Sequence, residues 1–127
     1  MDQLPPLPTK LDKREARVTP KVIDWFDKNY SGDWFIEIKA TKTNTIPKSA
    51  VKDHQLQALL AVRSKKGLKH KLSDAGRVRQ PFDAFGVYEK DSYVVACFIN
   101  KGICLAILPD QWRGANLKSN YAFKIYL

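Results

Sequence analysis

The most regular alternation of apolar and polar positions lies in residues 33–41, Asp-Trp-Phe-Ile-Glu-Ile-Lys-Ala-Thr. One set of alternate positions is apolar and the other includes a glutamate and a lysine: Trp34, Ile36, Ile38 and Ala40 against Phe35, Glu37, Lys39 and Thr41. A period of two predicts a β-strand with the two sets on opposite faces. Charged side chains on so apolar a strand are costly to bury unless they pair or bind something. Glu37 and Lys39 are therefore the first candidates for chemistry.

A first helix is predicted over about 13–30, ending at Ser31 and Gly32. Thr19 is a suitable cap for its later part, and Pro20 suits a first helical turn. Residues 13–18 would then form an earlier helical turn, interrupted before the proline.

A second helix is predicted over about 50–64, with Ser49 as its N-cap and an apolar side that includes Leu56 and Leu59. Residues 65–81, which follow it, are rich in lysine and arginine and are predicted to form a loop.

Three strands are predicted in the second half of the chain, over about 82–89, 92–99 and 102–108. The short links between them predict a meander of hairpins. The run 121–127 adds a last edge strand. The order of helix, strand, helix and strands predicts an α/β fold with a central mixed β-sheet flanked by helices.

The length of 127 residues and an apolar fraction of 44% fit one domain, predicted over 13–127. Residues 1–12 contain Pro5, Pro6 and Pro8, which oppose helix and sheet pairing. They are interpreted as a flexible N-terminal arm, with an arm crossing to a partner subunit as the alternative.

The charge balance favours a polyanionic partner, because 22 Lys and Arg residues face 13 Asp and Glu residues, giving a net charge of +9. Nucleic acid is expected before an anionic membrane. The sequence contains no apolar run of membrane-spanning length and no signal-peptide pattern, so we expect a cytoplasmic protein, in a host cell if the chain is viral. Cys97 and Cys104 lie in apolar runs without zinc-site spacing, and we expect them to be buried and reduced.

Basic residues that could contact DNA phosphates form three groups along the sequence. They are Lys13, Arg14 and Arg17 in the first helix, Lys42 and Lys48 beside the loop after the Glu-Lys strand, and Lys65, Lys66, Lys69, Lys71, Arg77 and Arg79 in the long loop. The alternative is that they are solvated charges that keep the protein soluble. A recognition helix or zinc finger is not apparent, which favours recognition of DNA shape over base sequence.

A Glu and a Lys two residues apart on a strand have a chemical use in phosphodiester hydrolysis. The carboxylate can bind a divalent metal that offsets charge in the transition state, and the ammonium can hold the attacking water beside it. Mg²⁺ suits such a site because it often takes only one or two carboxylates and keeps several waters. The alternative is a solvated ion pair on the face of a strand.

The residues after Glu37 and Lys39 add an ordered context: a loop Lys-Thr-Asn-Thr at 42–45, then His54 and Gln55 at the start of the second helix. In this order, residues 34–62 resemble the Holliday-junction resolvases of the penicillin-binding-protein-related factor A type, within the PD-(D/E)XK nuclease superfamily.

The resemblance implies a restriction-endonuclease-like fold and an Mg²⁺-dependent endonuclease, with Mn²⁺ as an alternative ion, that resolves four-way DNA junctions. It implies a metal-ligand role for Glu37, a catalytic role for Lys39, a place for Gln55 near the active site, and a supporting metal-site role for Glu15 on the first helix. For Glu15 an exposed ion pair is the alternative, and for His54 we favour a surface or capping role. Because a four-way junction has two-fold symmetry, a homodimer is expected.

The sequence departs from this family in one respect: no strand carrying the usual acidic residue precedes the Glu-Lys strand. Asp83 could replace that acid as a metal ligand if its strand lies beside 34–41, and capping of a turn is its alternative. Asp74 is a second candidate, although its Ser-Asp-x-Gly context is typical of a turn. Asp33 would be about 13 Å from Glu37 along the strand. The missing acid leaves two other hypotheses open: a related nuclease with another DNA substrate, and a non-catalytic nucleic-acid-binding protein.

Overall fold

A mixed four-stranded β-sheet lies at the centre of the protein in the computed structural model, which describes residues 13–72 and 81–127. The arm predicted over residues 1–12 lies outside the described residues. Two helices and eight strands are described: α1 (Lys13–Asn29), β1 (Trp34–Thr41), β2 (Thr45–Ile46), α2 (Asp53–Arg63), β3 (Leu68–Lys71), β4 (Ala84–Val87), β5 (Asp91–Phe98), β6 (Ile103–Ile107), β7 (Ala115–Asn116) and β8 (Phe123–Tyr126).

The sheet has the strand order β1-β5-β6-β8. Strand β1 is parallel to β5, and α2 lies in the connection between them, whereas β5, β6 and β8 pair antiparallel. Two small two-stranded sheets lie apart from it, one formed by β2 and β7 and the other by β3 and β4. Within the described sheet, β1 pairs on one side only, which leaves its outer edge available to side chains from α1.

Each face of the sheet packs against one helix. On one face Val18, Val22 and Phe26 of α1 are buried against Val95 of β5 and its neighbours. On the other face Leu59 of α2 packs in a second cluster with strand residues and Trp112. Because both faces are covered, residues 92–98 of β5 are all buried, as in a strand of a parallel α/β sheet. An α/β fold with a mixed sheet between helices is confirmed at this level.

Helix α1 is continuous through Pro20, so the predicted interruption and the predicted Thr19 cap are both wrong. The Thr19 hydroxyl donates instead to the carbonyl of Glu15, 2.6 Å away within the helix. Pro20 removes one helical hydrogen bond. Buried apolar residues on either side of it, Val18 and Val22, hold the helix against the sheet despite that loss.

Helix α2 begins at Asp53, after a short 3₁₀ turn over Lys48–Ala50, so Ser49 is not its cap. The cap position is Lys52, whose backbone N–H donates to the side-chain Oε1 of Gln55 at 3.0 Å. Gln55 thereby satisfies a backbone donor that would otherwise lack a partner at the helix start.

The predicted meander is wrong between the first two of its strands. Residues 68–71, expected in a loop, form β3, and β4 pairs antiparallel with β3 and not with β5. The link after β4 turns at Glu89, which has a φ of 52°, and the backbone N–H groups of Glu89 and Lys90 donate to carbonyls at the end of α2. The predicted hairpin of β5 and β6 and the last strand β8 are confirmed.

Both cysteines are free and buried, as predicted, and they lie opposite each other on β5 and β6. A hydrogen bond with Cys104 and burial raise the pKa of the Cys97 thiol, which favours its neutral form. No helix within 13–72 or 81–127 combines the length and the apolar character needed to cross a membrane.

Candidate active site

Glu37 and Lys39 lie together on the outer strand of the sheet, as the alternation predicts. Their side chains are partly buried, and the Lys39 ammonium Nζ is 3.3 Å from Glu37 Oε1. The side chains retain 16% exposure for Lys39 and 27% for Glu37, so neither extends into bulk solvent. The pair is shielded enough to be oriented and open enough to meet a ligand.

A second carboxylate reaches the same ammonium from α1. Glu15 Oε1 lies 3.9 Å from Lys39 Nζ, and the Glu15 side chain is 31% exposed. This contact is possible because β1 is the edge strand, so that a side chain of α1 and one of β1 meet at the strand's open side. The structure therefore brings Glu15, Glu37 and Lys39 together, as an ion-paired cluster.

Gln55 fixes the position of the Glu37 carboxylate from α2. Its amide Nε2 donates to Glu37 Oε1 at 3.1 Å, while its Oε1 accepts the backbone N–H of Lys52 at 3.0 Å. With both ends of the amide engaged, one orientation is favoured, and the Glu37 oxygen receives an amide N–H and an ammonium. The predicted place of Gln55 near the site agrees with this geometry, and exposed His54 lies beside it on the first turn of α2.

The two carboxylates of the cluster are a minimal donor set for a hard divalent cation. Glu15 and Glu37 present carboxylate oxygens within 3.9 Å of one nitrogen, and Mg²⁺ is commonly held by one or two carboxylates with waters and substrate phosphate. The two carboxylates can hold such an ion only if Lys39 shifts aside, which a flexible lysine side chain permits. Among the residues that the structure describes, His, Cys, Asp and Glu form no group of three or more suited to a metal.

The structure gives Asp83 no place beside Glu37. Asp83 is exposed and precedes β4, which pairs with β3 in a separate sheet, while β1 pairs with β5. The condition for a shared metal, a strand after Asp83 lying beside β1, is not met. Asp33 forms an exposed ion pair with Lys90 at 3.7 Å, and Asp74 lies outside the described residues. The second carboxylate at the site comes from Glu15 instead.

An open cleft of about 310 Å³ adjoins the cluster. It is lined by Arg14, Glu15, Lys39, Thr41, Thr45 and Pro47. Strand β1 ends here in a chain of hydroxyls, in which Thr41 Oγ1 and Thr43 Oγ1 are 2.8 Å apart and the Thr43 hydroxyl donates to the carbonyl of Thr45. No role for these threonines is predicted above, although their spacing of two indicates that their side chains share one face.

The described basic residues of the three predicted groups lie in three places. Arg14 lines the cleft, and Arg17 and Lys42 line a smaller hollow of about 110 Å³ that also includes Arg14. Lys48 is exposed and lines a separate pocket with Trp112, whose indole N–H donates to the Lys48 carbonyl. The remaining described lysines of the third group lie beyond the far end of α2: Lys65, Lys66, Lys69 and Lys71. The Lys13 side chain, Arg77 and Arg79 are outside the described residues.

Comparisons with protein-family models, with curated proteins and with solved structures give no significant match.

Proposed function

We propose that this protein is a Mg²⁺-dependent endonuclease of restriction-endonuclease-like fold that hydrolyses phosphodiester bonds in branched DNA, with four-way junctions as its substrate. The observation that carries the proposal is the convergence of Glu15, Glu37, Lys39 and Gln55 from three elements on one point of the sheet edge. A structural ion pair needs only two of these groups. The additional carboxylate and amide make the arrangement suitable for chemistry.

Each side chain has a separate task in this proposal. Glu37 and Glu15 hold the divalent ion, which when bound offsets the charge that develops on the phosphate. The Lys39 ammonium donates a hydrogen bond that holds a water or a phosphate oxygen beside Glu37. Gln55 is a positioning residue, because its N–H keeps the Glu37 oxygen in place.

The basic surface supports DNA as the substrate. Arg14, Arg17 and Lys42 lie near the cluster and can contact phosphates on either side of the bond that is cut. The net charge of +9 favours fast association with a polyanion. A homodimer would present two such sites to the two-fold symmetric junction, and sedimentation of the purified protein should give twice the mass of one chain.

The test is incubation of the purified protein with Mg²⁺ and a synthetic four-way junction, beside linear duplex and single-stranded DNA. We expect cutting of the junction that EDTA abolishes and that Lys39→Ala removes. Asp24→Ala is the matched control, because Asp24 forms an exposed ion pair with Lys28 elsewhere on α1. Equal cutting of linear duplex would assign another DNA substrate. Cutting that survives Lys39→Ala would refute the assigned site.

A non-catalytic DNA-binding protein is the second candidate. It is favoured by the absence of a three-ligand acidic group within the described parts of the chain. In that case the junction is bound but never cut, and Lys39→Ala leaves the affinity unchanged.

A further inference from the structure

The hairpin of β3 and β4 has two chemically different faces. In its register Lys69 lies opposite Gly86 and Lys71 opposite Ala84, so that one face carries two lysines and two small residues. The other face carries the apolar and aromatic positions: Leu68, His70, Phe85 and Val87. The lysine face has little side-chain bulk between its two ammonium groups.

Tyr88 closes this lysine face just beyond β4. Its ring packs against the backbone of Gly67 and Gly86, where a Cβ added to Gly86 would lie 3.3 Å from the Tyr88 hydroxyl oxygen. Gly67 also has a φ of +74°, a conformation that other residues rarely adopt. The Lys69 ammonium lies 5.6 Å from the ring centroid. Although it is packed on glycine, Tyr88 remains 45% exposed.

The charge around Tyr88 favours an anionic ligand. Within residues 64–72 and 81–89 the exposed cations are Lys65, Lys66, Lys69 and Lys71, against the carboxylates of Asp83 and Glu89. An exposed ring with lysines beside it is the usual means of binding single-stranded nucleic acid, because bases stack on the ring and phosphates contact the cations. A base within a duplex is already stacked between its neighbours, so only an unpaired base can reach Tyr88.

We propose that the Tyr88 face, formed by Lys69, Lys71 and Tyr88, binds an unpaired stretch of DNA, with one base stacked on the tyrosine ring. This inference rests on the proposed function, because base pairs next to a branch point open more readily than those within a continuous duplex. Gln55 lies near the start of α2, and the end of the helix at Arg63, which the hairpin follows, is about 12 Å further along at 1.5 Å per residue. A few nucleotides of one strand span that length of helix.

Binding measured in EDTA tests this without cleavage. Labelled oligo-dT and a duplex of equal length are titrated with the full chain and with Tyr88→Ala, Tyr88→Phe and Tyr121→Ala. Tyr121 is the matched control, since it is also 45% exposed and has Lys124 Nζ 5.3 Å from its ring centroid. Tyr88→Ala should weaken oligo-dT binding about 5- to 100-fold and leave duplex binding nearly unchanged. Tyr88→Phe and Tyr121→Ala should bind like the wild type. An equal loss on both DNA forms, or no loss, overturns the proposal.

Photocrosslinking of the unmodified chain removes any dependence on the folding of a variant. An oligonucleotide containing 5-iododeoxyuridine should crosslink to Tyr88, as read by mass spectrometry of the peptides. Crosslinks confined to other aromatic residues overturn the proposal. Neither experiment requires cleavage, so the two proposals can fail separately. Stacking on Tyr88 without cleavage would refute the proposed nuclease activity alone. Junction cleavage, with an oligo-dT affinity that Tyr88→Ala leaves unchanged, would refute the proposed role of the Tyr88 face alone.

Discussion

The two ends of helix α2 carry polar clusters of similar composition that are held in different ways. At its start Gln55 meets Glu37 and Lys39 at the open edge of β1. At its end Arg63 donates to the carbonyl of Ser92 through Nε at 3.0 Å and through Nη2 at 2.7 Å, and its Nη1 lies 3.8 Å from Asp91 Oδ1.

The difference distinguishes a candidate functional site at the start of α2 from a structural cluster at its end. That structural cluster, formed by Arg63, Ser92 and Asp91, is called the brace below. In the cluster at the start of α2, Glu15 and Lys39 line the cleft, and the hydrogen bond from Gln55 orients the Glu37 carboxylate. The cluster at the end ties the helix to the backbone of the central strand β5, and the basic hairpin follows it. We therefore expect substitutions at the start of α2 to change chemistry and substitutions at its end to change stability or DNA binding.

The largest effect is expected from Glu37→Ala. This change removes the carboxylate that meets both Lys39 and Gln55. Cleavage of a four-way junction should fall about 10²- to 10⁴-fold, the range for loss of a central catalytic group, while the affinity for the junction in EDTA stays within about threefold. Single-turnover rates measure the first quantity and fluorescence anisotropy the second. A fall in affinity that accounts for the whole loss would argue against a role in chemistry.

Much of this cluster could be predicted from sequence, for a physical reason. The alternation of residues 33–41 fixes which side chains share a face of β1, so the Glu37 and Lys39 pair follows from local geometry. The choice of the second carboxylate depends on which strands are neighbours. That in turn depends on the link after β4, where two backbone bonds attach Glu89 and Lys90 to the end of α2. Local sequence therefore could not decide between Asp83 and Glu15 as the second carboxylate.

The fold shows the same limit. Strands β5 and β6 could be predicted because their apolar runs are continuous and the link between them is short, and β8 because residues 121–127 are mostly apolar. Strand β3 was missed because its sequence, Leu-Lys-His-Lys, is mostly polar, and its partner β4 lies beyond an intervening segment. The predicted interruption of α1 at Pro20 is wrong because the burial of Val18 and Val22 outweighs the one hydrogen bond that proline removes.

Leu59→Ala tests whether both ends of α2 depend on one scaffold. Leu59 is 7% exposed and packs in the core beneath α2. Truncating a buried leucine costs about 2–5 kcal/mol, measured as the change in the free energy of unfolding by urea titration. Both cleavage and oligo-dT binding should then decline together with the folded fraction. Loss of one activity alone, at a temperature where the variant is folded, would show that the two ends are independent.

Gln55→Ala separates positioning from chemistry. The variant keeps Glu37 and Lys39 but removes the N–H that orients the carboxylate. We expect cleavage to fall about 10- to 100-fold, as for other residues that orient a metal ligand, and the Mg²⁺ concentration for half-maximal rate to rise. Because Gln55 also caps α2, a loss of about 1 kcal/mol of stability is expected. A rate loss that added Mg²⁺ does not alter would indicate a purely structural role.

The double change of Lys69 and Lys71 to Ala tests the far end of α2. Both side chains are exposed on the Tyr88 face. Removing two phosphate contacts should lower the slope of log affinity against log salt by roughly 1.4 for single-stranded DNA. The rate of cleavage at saturating protein should change little. The matched control changes Lys28 and Lys118, exposed lysines elsewhere, to Ala and should leave the slope as in the wild type. An equal change in slope in the control would mean that the hairpin lysines act only as general surface charge.

Tyr30→Phe gives the smallest effect and tests the brace directly. The Tyr30 hydroxyl donates to Asp91, the carboxylate that also faces Arg63, and lies 3.1 Å from the Tyr93 hydroxyl. Loss of this bond should cost about 1 kcal/mol of stability at neutral pH and leave junction cleavage unchanged. Burial, and then the hydrogen bond to Asp91, raise the pKa of Tyr30 in the folded protein.

The pH dependence of that variant has a defined sign. Because the folded state holds the Tyr30 proton more tightly than the unfolded state, the stabilisation is complete below about pH 10, the ordinary tyrosine pKa, and is lost as the pH rises above it. The difference in unfolding free energy between wild type and Tyr30→Phe should therefore shrink above pH 10. A difference that grew with pH, or a cleavage defect at neutral pH, would show that this end of α2 is more than a brace.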